Sequence, residues 1–199
     1  MKQARNWDIL IIGGASGSGK TSVSRPLSQF YGVDLVRVDD FQCFLEAIIS
    51  PEMKPTLHNL KIEPNWHNES AEWVVDRLKG VAQAWLPGLT AVVNDHLGEN
   101  IPMILEGDFI LPELPASFSS PRIKTLFVHE PSREQILQNY LAREGTHQEH
   151  RADISYAFGN HLKESCEKHN IPIVESRPWD NLMERVINMI DGGNCNDKN

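Results

Sequence analysis

Gly14-Ala15-Ser16-Gly17-Ser18-Gly19-Lys20-Thr21 spaces a glycine, four residues and then Gly-Lys-Thr, directly after an apolar run. That run, Asp8-Ile9-Leu10-Ile11-Ile12, reads as a short buried strand, and Thr21 to Phe30 reads as a helix. Few architectures accommodate such a strand–loop–helix step. Glycines let the backbone curl so that successive N–H groups point inward and cradle phosphate oxygens. The start of the helix adds unpaired N–H groups and the positive end of its dipole. Lys20 would bring a mobile positive charge to the outer phosphates, and the Thr21 hydroxyl can bind Mg²⁺. Gly14, Ala15, Ser16, Gly17, Ser18, Gly19, Lys20, Thr21 and the adjoining Ser22 are therefore the candidate nucleotide-binding residues.

The rest of the chain repeats the strand–helix rhythm. Leu35–Val38 reads as a second strand ending in Asp39-Asp40, and Pro102–Glu106 as a third ending in Gly107-Asp108. Lys124–Val128 and Ile171–Val174 supply a fourth and a fifth. Helical patterns fall over Phe41–Ile49, from Asn68 as N-cap through Trp73, Leu78 and Trp85, over Ser132–Arg143 and over Glu149–His169. Pro87-Gly88 is expected to divide the second of these, and Asn181 with Glu184 to form a capping box on a last helix. Pro51–His67 reads as a long loop. Short apolar strands alternating with helices predict an α/β fold, a five-stranded parallel sheet covered on both faces. Ligands then sit outside the carboxyl ends of the strands. The glycine-rich loop, Asp39-Asp40 and Glu106-Gly107-Asp108 all fall there.

The chain has 199 residues and a net charge of −8, which suits one domain over residues 1–192, followed by a polar, disordered tail at 193–199. The acidic balance argues against nucleic acid as a partner. Cys43, Cys166 and Cys195 are scattered and form no CxxC pair, so reduced thiols and a cytoplasmic location are expected. The apolar run at Ile9–Ile12 is far too short for a membrane span. The histidines match no zinc spacing. The expected partner is a small molecule, with no nucleic acid and no membrane, and the protein is expected to be a monomer or homodimer.

Three segments, Gly14–Thr21, Val38-Asp39-Asp40-Phe41 and Ile104-Leu105-Glu106-Gly107, carry a family likeness. Together they resemble P-loop small-molecule kinases of the nucleoside-kinase type, which include uridine and nicotinamide riboside kinases, pantothenate kinases and phosphoribulokinases. The loop and the Glu-Gly step also resemble 2-phosphoglycerate kinases. The resemblance implies a P-loop NTPase three-layer α/β/α sandwich with a helical lid. It implies an ATP-dependent phosphotransferase that moves the γ-phosphate of ATP, with Mg²⁺, to a hydroxyl of a small metabolite. Lys20 would neutralise the transferring phosphates. Asp39 would take the acceptor's proton, with Asp40 as second candidate. Thr21, Asp40 and Glu106 are the candidate metal residues, and Asp39, Phe41 and Glu106 the candidate substrate residues. Arg143 and Arg151 flank Gly145-Thr146-His147 in a lid of about residues 143–152 and would clamp phosphates over ATP. Arg177, after the fifth strand, would stack on the base.

The segments after Asp39-Asp40 and Glu106 offer Phe41, Phe44, His58, Trp66, His67 and Phe109, with Lys54 and Lys61 the main cations. A phosphorylated acceptor would call for several Arg and Lys partners. A neutral, flat or sugar-like acceptor, such as a nucleoside, suits these residues better. The alternatives are a nucleotide-binding regulatory NTPase and a 2-phosphoglycerate-type or antibiotic kinase. The Asn-Lys-x-Asp motif of regulatory GTPases and the Leu-Ser-Gly-Gly-Gln signature of transporter ATPases are both missing.

Overall fold

The computed structural model describes residues 4–58 and 65–192. Lys61, Cys195 and the expected disordered tail lie outside the described residues. Strand β1 (Ile9–Gly13) sits at the centre of a five-stranded sheet with β2 (Asp34–Arg37), β3 (Met103–Gly107), β4 (Ile123–His129) and β5 (Ile173–Glu175). The order is β2-β3-β1-β4-β5, and every pairing is parallel. β1 and β3 are buried along their whole length, which explains why both read as continuous apolar runs.

The alternation of side chains divides the interior into two layers. Ile9, Ile11, Met103 and Leu105 join α3 (Ala71–Glu99) and α6 (Glu149–His169) on one face. Leu10, Ile12 and Ile104 join α1 (Lys20–Tyr31) and α7 (Leu182–Asp191) on the other. Helix α2 (Val38–Ile48) follows β2, the short α4 (Glu113–Ala116) follows β3, and α5 (Arg133–Glu144) follows β4. Single 3-10 turns cover Pro55–His58, Trp66–Asn68 and Trp179–Asn181. Cys43 and Cys166 are free, and burial pushes the Cys166 thiol up to about 12. Among the described residues no helix is long and apolar enough to cross a membrane.

Several boundaries differ from the sequence expectation. Pro87-Gly88 does not divide a helix: α3 runs unbroken for 29 residues. Gln83, Pro87 and Gly88 are all exposed, so water can serve the carbonyl that Pro87 leaves without a donor, while Trp85, Leu89 and Val93 anchor the buried side. The cap of α3 is Ser70, whose hydroxyl accepts from Trp73 N at 3.2 Å; Asn68 lies in the preceding 3-10 turn. No capping box forms at Asn181, whose Oδ1 instead accepts from Arg185 Nε at 2.9 Å. Helix α2 begins at Val38, so Asp39 and Asp40 lie in its first turn, where the dipole favours carboxylates.

Ser70→Ala should therefore lower stability by about 1 kcal/mol, the usual worth of an N-cap. Asn68→Ala should leave it nearly unchanged. Urea unfolding of the two variants checks this, and equal losses would reject the assigned cap.

Candidate active site

The loop between β1 and α1 is held from three sides. Asn139 Nδ2 of α5 donates to Gly17 O at 2.9 Å. Lys20 Nζ donates to Ala15 O at 3.2 Å. The Trp179 ring lies against Gly19, which has φ +93°, so a Cβ there would meet the ring as well as a strained backbone. The loop thus keeps its curl with α1 opening directly behind it.

Beneath the loop lies a cluster of charged groups at the ends of β1, β2 and β3. Register puts Ile12 beside Glu106 and Gly13 beside Gly107. Thr21 Oγ1 donates to Glu106 at 3.0 and 3.1 Å from its two oxygens. Arg37 Nε stands 3.6 Å from the same carboxylate. Lys20 forms an ion pair with Asp108, not with Glu106. Burial acts against the Lys20 ammonium, but Asp108 and Glu106 more than compensate, so its pKa is raised. Burial raises the Glu106 carboxyl, against the opposing pull of Lys20 and the Thr21 hydrogen bond. Gly107 completes the packing, because a Cβ there would collide with Val38 at the head of α2.

A cavity of about 970 Å³ opens above this cluster. Its described lining includes five cationic side chains, Lys20, Arg25, Arg37, Arg143 and Arg151, and two carboxylates, Asp39 and Asp108. An acidic chain has collected positive charge on one cleft, the pattern expected where a polyanion binds. Two of these cations, Arg143 and Arg151, meet at Glu144. It accepts from Gln148 Nε2, from Arg143 Nη2 and, at 2.9 Å, from Arg151 Nη1, and these bonds hold its carboxyl down at about 2. Both arginines also lie over the Tyr140 ring, at 5.2 and 4.4 Å.

Most of the sequence-predicted residues come together here; Gly14, Ala15 and Ser18 belong to the loop without lining the cavity, and three others lie apart. Ser16, Gly17, Gly19, Lys20, Thr21, Ser22, Asp39, Arg143 and Arg151 line the cavity. Glu106 underlies it through Thr21. Asp40 does not line it: its carboxylate is 67% exposed and pairs with Arg37 at 3.4 Å. Phe41 packs against the core cluster rather than the cavity. Arg177 is drawn aside, with Nε 3.3 Å from the buried Glu130 and its guanidinium over Trp179; Trp179 takes the place at the cavity. Of the acceptor-region residues, Phe44 points outward at 62% exposure. His58 is buried against Ile49 O at 2.6 Å.

Asp108, Arg25, Arg37, Asn139 and Trp179 are the site residues that sequence reading missed. Arg25 stands one helical turn beyond Thr21, and Asn139 one turn before Arg143, so helical spacing carried a usable signal for both. Asp108 lay in the segment already singled out, and only its ion pair reveals its importance.

The site fits a nucleotide and its Mg²⁺ on its own chemistry. Lys20 lines the cavity, and Ser18 Oγ is buried with no hydrogen-bond partner among the described residues. Thr21 and Glu106 present hard oxygen donors side by side, the type Mg²⁺ takes.

No family model matches the chain, and no curated protein matches it in sequence. In structure it is similar to shikimate kinase from Acinetobacter baumannii in complex with shikimate, with a TM-score of 0.60 at 14% identity, over 96% of this chain and 97% of that one. It is also similar to a gluconokinase from Sinorhizobium meliloti 1021 (0.55, 13%, 98% and 100%) and a sugar kinase from Janibacter sp. HTCC2649 (0.55, 16%, 93% and 95%). The fold is accordingly the three-layer α/β/α sandwich with a five-stranded parallel sheet that the three motifs implied. The nucleoside-kinase subtype gains no support from these three.

Glu106 makes the cost of the buried cluster measurable. An acid whose pKa is raised in the folded state binds more protons folded than unfolded, so its ionisation works against the fold. Its contribution is intact below the ordinary value of 4.5 and is lost as pH rises through the raised one. Glu106→Gln lacks this titration. The stability of the wild type relative to the variant should fall as pH rises above 4.5, as followed by urea unfolding from acid to neutral pH. A relative stability that rises with pH would show that Lys20 and Thr21 outweigh burial.

Proposed function

We propose that the protein is an ATP-dependent kinase of a small hydroxyl compound. The carrying observation is the arrangement of Lys20, Asp39, Asp108, Arg143 and Arg151 around one cavity over the loop. A protein that only bound nucleotide would not need Asp39 beside the phosphate-binding loop. The likeness to kinases of shikimate and sugars supports this reading.

Transfer of a phosphoryl group asks mainly for positioning and charge neutralisation. The loop N–H groups and Lys20 hold the donor phosphates. Lys20 leaves Asp108 for the γ-phosphate as the nucleotide enters. Thr21 and Glu106 would hold Mg²⁺, which supplies charge neutralisation at the phosphates when bound. Asp39 accepts the proton of the acceptor hydroxyl. It is half exposed and is held at 3.0 Å by Arg37 Nη2, which fixes its direction at the head of α2. Asp108 is assigned instead to holding Lys20 in place until the nucleotide enters. Arg143 and Arg151 would turn from Glu144 to the phosphates and exclude water, which protects ATP from hydrolysis.

Two substitutions test the assignment. Lys20→Ala should reduce ATP-dependent transfer by ~10²-fold or more, the scale of losing one preorganised charge contact. Asp39→Asn should lower kcat by about 10²–10⁴-fold with ATP affinity unchanged, and Asp108→Asn should act chiefly on ATP affinity. Steady-state kinetics and nucleotide titration separate the two carboxylates; an Asp39→Asn enzyme at full rate removes Asp39 from the chemistry.

A further inference from the structure

Beside the phosphate cavity lies a second, smaller one of about 170 Å³. Its walls are Trp66, Val74, Leu78, Phe109, Ile154 and Phe158, brought from the turn before α3, from α3 itself, from the end of β3 and from α6. Val74, Phe109, Ile154 and Phe158 are buried parts of the main core, so the pocket is a gap in the packing. The volume is close to that of an engineered apolar cavity of about 150 Å³ that takes up benzene.

The polar groups are unevenly placed. Ser16, Asp108 and Arg151 line this pocket and the phosphate cavity alike, so they mark the passage between the two. The remaining polar lining residue is Ser155, and its hydroxyl is engaged with Tyr140 OH at 2.6 Å. A guest that carried carboxylates or several hydroxyls into this space would bury them without partners, at a cost of kilocalories for each. An apolar ring or branched chain would bury cleanly. A hydroxyl on that guest, left at the passage, would face the phosphate held by Lys20.

We propose that this pocket is the acceptor half of the site and that the acceptor is an uncharged alcohol carrying an apolar group about one ring in size. The proposal rests on the kinase reading and narrows its substrate class. The acceptor oxygen forms a bond to the γ-phosphorus as the bond from that phosphorus to the β–γ bridging oxygen breaks. ADP leaves with that electron pair, and the hydroxyl proton goes to Asp39. Polyhydroxy acids are poor acceptors because the pocket offers polar partners only at its mouth, where Ser16, Asp108 and Arg151 lie.

4-Fluorobenzyl alcohol is a suitable probe, since ¹⁹F NMR reads its binding without any turnover. The wild type should bind it saturably. Leu78→Phe and Ile154→Phe fill the pocket from opposite helices, and each should weaken binding by about tenfold or more, the scale of a misfitting apolar group. Thermal unfolding and ATP titration of both variants separate filling of the pocket from misfolding; two sites of substitution keep the test open if one variant does not fold. Transfer of γ-phosphate from ATP to the aryl alcohol should exceed transfer to shikimate or gluconate by at least about tenfold in kcat/KM. Phosphorylation of shikimate or gluconate with no binding of the aryl alcohol overturns the pocket proposal and leaves the kinase reading intact. Equal binding by the wild type and the filled variants also overturns it. Saturable, pocket-dependent binding with no transfer to any alcohol overturns the kinase reading instead.

Discussion

The parallel pairing of β1 with β3 is the contact on which the rest of the site depends. It joins segments some 90 residues apart in register, Ile12 to Glu106 and Gly13 to Gly107. Both strands then end at the same level. The loop that leaves β1 meets the acidic residues that leave β3: Thr21 finds Glu106, and Lys20 finds Asp108. A register shift of one residue would turn Glu106 to the opposite face of the sheet and separate both pairs. The alternating apolar side chains on the two faces hold that register, so the core and the polar cluster are products of the same pairing.

A chain of net charge −8 has thereby built a cleft dominated by cations. Individual carboxylates are assigned to individual cations within it. Glu106 is the most buried of them, and the fold tolerates it because Thr21 and Arg37 stand at its oxygens. The surrounding packing is correspondingly tight, with Gly19 under the Trp179 ring and Gly107 under Val38. Rigidity of this kind suits chemistry that depends on placement more than on covalent participation.

Much of this was legible in the sequence, and the reasons differ by feature. The five strands were readable because a strand buried on both faces has no polar residue to interrupt it. The loop was readable because its spacing encodes its shape. Pro87 misled because a helix tolerates proline where the freed carbonyl faces water, and exposure is a property of the fold. Asn68 and Ser70 are both good caps, and only the direction of the entering chain decides between them. At the site, the fold brings most of the named segments to one cavity and turns some of their side chains elsewhere. Asp40 and Phe41 lie one and two positions beyond Asp39 on a helix, and 100° of rotation per residue carries them away from the cavity. Arg177 lost its expected place to Trp179 because Glu130, a residue 47 positions away, attracts its guanidinium. Long-range pairings of this kind leave no local signature.

The pairing of Lys20 with Asp108, of Arg37 with Asp39 and of Arg143 and Arg151 with Glu144 has a consequence for what can enter. No ligand meets these cations bare; it arrives by ion exchange, displacing the carboxylates that they hold. A monovalent anion trades one pair for an equivalent one and gains little. A ligand with several adjacent charges makes several exchanges for the loss of one molecule's freedom of motion. On the proposed reading, a cleft paired in this way favours anions of higher valence, because a polyphosphate makes several such exchanges at once.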